Sequence, residues 1–126
     1  MTFFYRSKER NSLASKVVRG DVWIVDLGMV AKIRPCLVLS IPSDDENDRV
    51  LTTLVPHTTS TRQSRFEIVI RTPFLKEGAF DTQNIITIPT VKLVRKLGKL
   101  TADQLSEVEA SIKHWLGFDP MPSEGT

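Results

Sequence analysis

Apolar positions come in short bursts through most of the chain and in a helical stripe near its end. Asp21-Val22-Trp23-Ile24-Val25-Asp26 is β-branched and aromatic, bounded by Gly20 and by Leu27-Gly28, which predicts a strand. Pro35 to Ile41 is an almost unbroken apolar run ended by Pro42-Ser43. Such a run suits a strand buried on both faces, and Pro35 can open it because no ladder donor is needed there. Arg49 to Pro56 predicts a third strand, paired with the second as an antiparallel hairpin across the acidic loop Asp44 to Asp48. Phe66 to Ile70 and Asn84 to Ile88 predict a fourth and a fifth, the latter stopped by Pro89. Arg62, Arg65 and the stretch Pro73 to Gly78 read as loops.

The rhythm then changes. Ala102, Leu105, Val108, Ile112 and Trp115 or Leu116 recur at spacings near 3.6, which predicts a helix from Thr101 to Leu116. Thr101 with Gln104 makes a capping box and Gly117 a stop. Five short strands in succession and one terminal amphipathic helix predict a mainly β fold, a small antiparallel barrel or curled sheet with a helix packed on it. A parallel α/β sheet is excluded, because no helix separates the strands.

Length and composition narrow the class. A chain of 126 residues fits one domain and can bury roughly two-thirds of its unfolded surface, enough for a core without staples. We expect a basic extension over 1–17, the folded domain over 18–118 and a loose tail over 119–126. Seventeen Lys and Arg against fifteen Asp and Glu give a formal net charge of +2, which is compatible with a nucleic-acid partner and does not select one. The basic residues Arg6, Lys8, Arg10, Lys16 and Arg19 suit either a solvated extension or a phosphate-contacting arm. One Cys rules out a disulfide framework, and two distant His argue against a metal site. No apolar run reaches the length of a membrane span, and the first residues lack the order of a secretory signal, so a cytoplasmic protein is expected.

The candidate chemistry follows from what remains. No glycine-rich phosphate loop, serine nucleophile elbow or paired Cys is present. Cys36, inside an apolar strand, reads as a buried structural thiol, and His114 as a surface residue on the polar side of the helix. An enzyme built from this inventory relies on Arg, Lys, Thr, Asp and His57. Arginine offers a permanent cation forked to fit phosphate oxygens, and a threonine hydroxyl can donate to a non-bridging oxygen. Together they could stabilise the charge that builds on phosphorus without a metal. RNA carries its own nucleophile in the 2′-hydroxyl, so metal-free RNA cleavage is the least demanding chemistry for such a set.

Arg19 to Gly28, Arg34-Pro35-Cys36-Leu37-Val38-Leu39-Ser40 and Val55-Pro56-His57-Thr58-Thr59-Ser60 resemble, in order and spacing, three segments of the MazF/PemK toxin endoribonucleases. The stretches Phe66 to Ile68 and Thr87 to Gly98 match more loosely, and the resemblance runs from about Val18 to Leu116. It implies an SH3-like barrel of the CcdB/MazF kind with a C-terminal helix, acting as a homodimer. It also implies a metal-independent, sequence-selective cut in single-stranded RNA, mRNA included, giving a 2′,3′-cyclic phosphate and a 5′-hydroxyl. No cofactor is implied. The partner implied is an antitoxin whose acidic tail lies over the RNA groove. By resemblance, the catalytic arginine falls on Arg34 and the phosphate-contacting threonine on Thr58. RNA contacts are expected from Lys32, His57, Thr59, Arg62, Arg65, Asp81 and Gln83, with His57 facing away from Thr58 if the strand continues.

Two departures from the family pattern stand out. The loop Met29 to Ile33 is short, and Gln83 stands where PemK-like members carry an acid, with Asp81 two residues earlier. A same-fold binding protein therefore competes with the enzyme: a gyrase poison like CcdB, or a silent RNA or antitoxin binder.

Overall fold

The computed structural model describes residues 16–28 and 32–118. The expected extension up to residue 15, most of the short loop from Met29 and the expected tail 119–126 lie outside the described residues. Among the described residues seven strands form in chain order: β1 (Asp21–Asp26), β2 (Ile33–Val38), β3 (Leu51–Thr58), β4 (Glu67–Ile68), β5 (Ala79–Asp81), β6 (Ile86–Pro89) and β7 (Leu93–Lys99). A fifteen-residue helix, α1 (Ala102–Leu116), follows them.

All the pairings are antiparallel. The strand order is β4-β5-β3-β2-β1-β7, with β6 also on β3. β3 is thus the hub. β2 runs along one edge of it, while β6 takes the start of the other edge and β5 its end. No ladder joins β7 to β4, so among the described residues the sheet curls without closing into a barrel.

The apolar run in β2 has its explanation in the two faces of this sheet. Val22, Leu37 and Val55 belong to one buried cluster, whereas Trp23, Cys36, Val38 and Leu54 belong to another. Alternate residues of a strand point to opposite faces, so these neighbours sort into two cores, one on each side. Helix α1 covers the first face, to which it contributes Val108 and Ile112. On the second, Val17 and Leu93 close over Trp23 and Val25, so burial begins one residue before the expected domain start.

The helix forms as its stripe predicts. Thr101 Oγ1 accepts from Gln104 N at 3.1 Å and Gln104 Oε1 accepts from Thr101 N at 2.9 Å, which completes the capping box. Arg19 forms an ion pair with Glu109, tying the chain before β1 to the helix. His114 is half-buried rather than exposed, its ring 5.7 Å from that of Phe66. No helix among the described residues is long and apolar enough to cross a membrane.

Candidate active site

Two strand boundaries decide the site. β2 begins at Ile33, ahead of the expected start at Pro35, and β3 runs past Pro56 to Thr58. The β2–β3 register pairs Val38 with Leu54, Leu37 with Val55 and Cys36 with Pro56. Continued by two residues, it sets Arg34 across from Thr58. Both have the parity of Cys36 and Leu54 and so share a face, where directly opposed Cβ atoms lie about 5 Å apart. The two prolines are compatible with these strands: Pro35 stands opposite Ile24 in the β1 ladder, and Pro56 opposite Cys36.

Arg34 and Thr58 border an open cavity of about 540 Å³. Its polar lining comprises Lys32, Arg34, His57, Thr58, Thr59 and Ser60. Ile24, Pro35 and Leu97 supply apolar surface, and Phe74, Leu75 and Lys76 form the remaining wall. Thr58 Oγ1 accepts from Ser60 N at 3.0 Å, so the strand ends in a turn that orients this hydroxyl.

Two glycines allow the walls to approach. A Cβ on Gly78 would stand 2.2 Å from the Thr58 carbonyl oxygen and 2.9 Å from His57 Cε1. Position 78 must therefore lack a side chain for the chain entering β5 to lie against the end of β3. Gly98 on β7 does the same for Phe74, whose ring would be 2.5 Å from a Cβ there.

His57 is 4% exposed, with its ring edge-on to Phe80 at 5.1 Å. It faces away from Thr58, as strand alternation requires. Burial lowers its pKa below the ordinary histidine range, so the ring is neutral near pH 7. Cys36, two residues from Arg34, is fully buried, and burial pushes its thiol up to about 12 against a smaller opposing pull from the Arg34 charge. It fills core space as an inert thiol.

Of the residues expected at the site, the cavity gathers Lys32, Arg34, His57, Thr58 and Thr59. The other four lie outside its lining. Arg62 is exposed, and its backbone N–H donates to the Glu67 carboxylate at 2.9 Å. The Arg65 guanidinium stacks over Phe66, 4.7 Å from the ring centroid. Asp81 caps the short turn Thr82–Asn84, accepting from Gln83 N at 3.3 Å and from Asn84 Nδ2 at 2.6 Å. Gln83 is exposed on that turn, so the departure at position 83 removes no group from the cavity.

Sequence reasoning missed Ser60, Phe74, Leu75 and Lys76, along with Ile24 and Leu97 as cavity walls. The available signal was Pro73-Phe74-Leu75, an apolar pair after a proline inside an otherwise polar loop. Among the described residues no group of three or more His, Cys, Asp or Glu is placed to hold a metal.

A curled antiparallel sheet that brings an arginine and a threonine hydroxyl to one cavity defines the class: a small β-protein with a cation and a hydroxyl donor, groups of the kind that suit an anion, at the ends of two paired strands. The family of PemK-like, MazF-like toxins of type II toxin–antitoxin systems matches residues 18–116, and the chain belongs to it. Solved structures share the fold. An endoribonuclease from a mycobacterial species, solved with its cognate antitoxin, is 24% identical at a TM-score of 0.70, covering 84% of this chain and 99% of that one. The Mycobacterium tuberculosis toxin MazF-mt6 is 25% identical at 0.66, over 79% of this chain and 99% of that one. A MazE–MazF structure from Deinococcus radiodurans is 22% identical at 0.66, over 80% and 95%. No curated protein sequence matches the chain significantly.

Proposed function

We propose that this toxin is a sequence-selective endoribonuclease that cuts single-stranded RNA without a metal, with Arg34 and Thr58 as its catalytic pair. The observation that carries this reading is that both line one cavity, at strand ends that the β2–β3 register, continued by two residues, sets opposite each other. The scissile phosphate sits between them. The 2′-oxygen attacks the adjacent phosphorus, the bond to the 5′-oxygen breaks, and a proton leaves the first oxygen while another reaches the second. Products are a 2′,3′-cyclic phosphate and a 5′-hydroxyl. Arg34 offsets the negative charge that grows on the non-bridging oxygens, and the Thr58 hydroxyl donates to one of them. Lys32 adds a further cation at the rim.

Membership of the family and the antitoxin-bound neighbours support the biological setting: a cytoplasmic homodimer held inactive by an antitoxin whose acidic tail competes for this cationic cavity. The test is antitoxin-free protein incubated with mixed-sequence RNA in EDTA. Cleavage to cyclic-phosphate ends is expected, with Arg34→Ala slower by about 10²- to 10³-fold, the usual cost of one donor to a developing oxyanion. Light scattering of the same sample should return twice the chain mass. An absence of cleavage, including tight RNA binding without turnover, would sink the reading, as would equal rates from Arg34→Ala.

A further inference from the structure

Beyond Arg34 and Thr58, the lining of the same cavity changes in chemistry. Phe74 is half-buried, bordering the cavity while packing against the core cluster on the α1 side. Its seat is built for a ring, because Gly98 leaves a notch that a Cβ would fill, 2.5 to 2.8 Å from three ring atoms. Leu97, beside that glycine, continues the apolar surface, and Lys76 brings an exposed cation two residues further on. The cavity's volume of about 540 Å³ lies within the roughly 300–1,000 Å³ that ligand pockets occupy. A nucleotide needs two unlike surfaces at once: donors for its phosphate and a flat apolar face for its base.

We infer that Phe74 is the base-stacking residue of this site and that Lys76 holds the neighbouring phosphate, so the nucleotide flanking the cut is selected at this wall. The inference rests on the ribonuclease reading above. With the scissile phosphate at Arg34 and Thr58, the base of an adjoining nucleotide reaches the Phe74 ring within the same cavity. Stacking tolerates every base but favours the larger faces, so this wall grades nucleotides by ring size rather than by edge hydrogen bonds.

The experiment uses the full chain and short RNAs made uncleavable by 2′-deoxy substitution, each carrying 2-aminopurine at one position in turn. One position should be quenched by wild-type protein. Phe74→Leu, which keeps an apolar side chain over Gly98, should lose that quench and about tenfold or more in affinity. Phe74→Tyr should retain both. Lys76→Ala should flatten the dependence of log affinity on log salt by about 0.7, one single-strand phosphate contact. Equal affinity and quench in Phe74→Leu, equal losses in Phe74→Leu and Phe74→Tyr, or an unchanged salt slope would each overturn the corresponding assignment. Failure of the wild type to cleave ordinary RNA would instead remove the ribonuclease reading, so the two failures are separable.

Discussion

The two ends of β3 carry the same kind of side chain to opposite purposes. At its start, Thr52 Oγ1 lies 2.8 Å from Thr90 Oγ1 in the buried interior, and Thr53 Oγ1 lies 2.7 Å from Thr87 Oγ1. Those hydroxyls are paired with distant parts of the chain and secure the return of β6 and the turn after it. At the far end, the Thr58 hydroxyl accepts from Ser60 N at 3.0 Å and donates to Ser60 O at 3.4 Å, both within its own turn, and it borders an open cavity. A hydroxyl donates one proton. At the start of β3 the hydroxyls sit in short contacts with remote parts of the chain, whereas the Thr58 proton goes to a long contact in its own turn, which a stronger acceptor can displace.

Paired substitutions break this contrast most directly. Thr58→Val should reduce RNA cleavage by about 10²-fold, the loss of one transition-state donor, while leaving thermal unfolding nearly unchanged. Thr52→Val should do the reverse, leaving the Thr90 hydroxyl buried and unpartnered at a cost of about 1–3 kcal/mol, with cleavage by the folded protein intact. Chemical denaturation and single-turnover cleavage on both variants decide it, and matching losses in the two assays would erase the distinction.

A smaller effect follows at Gly78, against which the functional end is set. Gly78→Ala brings a methyl group into the Thr58 carbonyl, and the backbone there must move. Displacement of a catalytic group by about 1 Å costs up to about 10²-fold, so we expect a tenfold or greater fall in cleavage. Unaltered turnover by Gly78→Ala would show that the strand end tolerates movement.

The smallest expected effect separates His57 from Thr58, its neighbour on the same strand. Burial lowers the His57 pKa in the folded protein and so favours its neutral ring, whereas the unfolded chain takes up a proton below about pH 6.5. The unfolded state then binds more protons as pH falls, so this contribution to stability is present above about pH 6.5 and declines below it. Urea unfolding between about pH 5.5 and 7.5 should show the decline, and His57→Gln should flatten it. A slope that survives the substitution would assign it to other groups.

The fold was legible where the side chains state their burial. The β1 run Asp21 to Asp26 and the α1 stripe behind Thr101 came through with nearly their observed bounds, because a local pattern and a local cap specify each. β5 and β7 did not. β5 is three residues long, and β7 carries Arg95, Lys96 and Gly98, which suit a strand only because β7 pairs with β1 on one side alone. The SH3-like barrel implied by resemblance is, among the described residues, a curled sheet that does not close, since closure depends on pairing between remote elements, which no single segment encodes.

At the site, Arg34 and Thr58 were legible through their motifs, and register then explains why those two positions meet. Phe74 and Lys76 were not, since a loop reaches the cavity only through tertiary packing over Gly98. Asp81 shows the converse. Its carboxylate suggested RNA contact, yet an aspartate two residues before an available N–H caps its own turn.

Cys36 has a use beyond packing. It is fully covered, its thiol is held near a pKa of about 12, and it lies in the strand that carries Arg34. A thiol-reactive reagent meets it only when β2 parts from its neighbours. The pace of alkylation at this one sulfur therefore reports how often β2 opens and carries Arg34 away from its place beside the cavity.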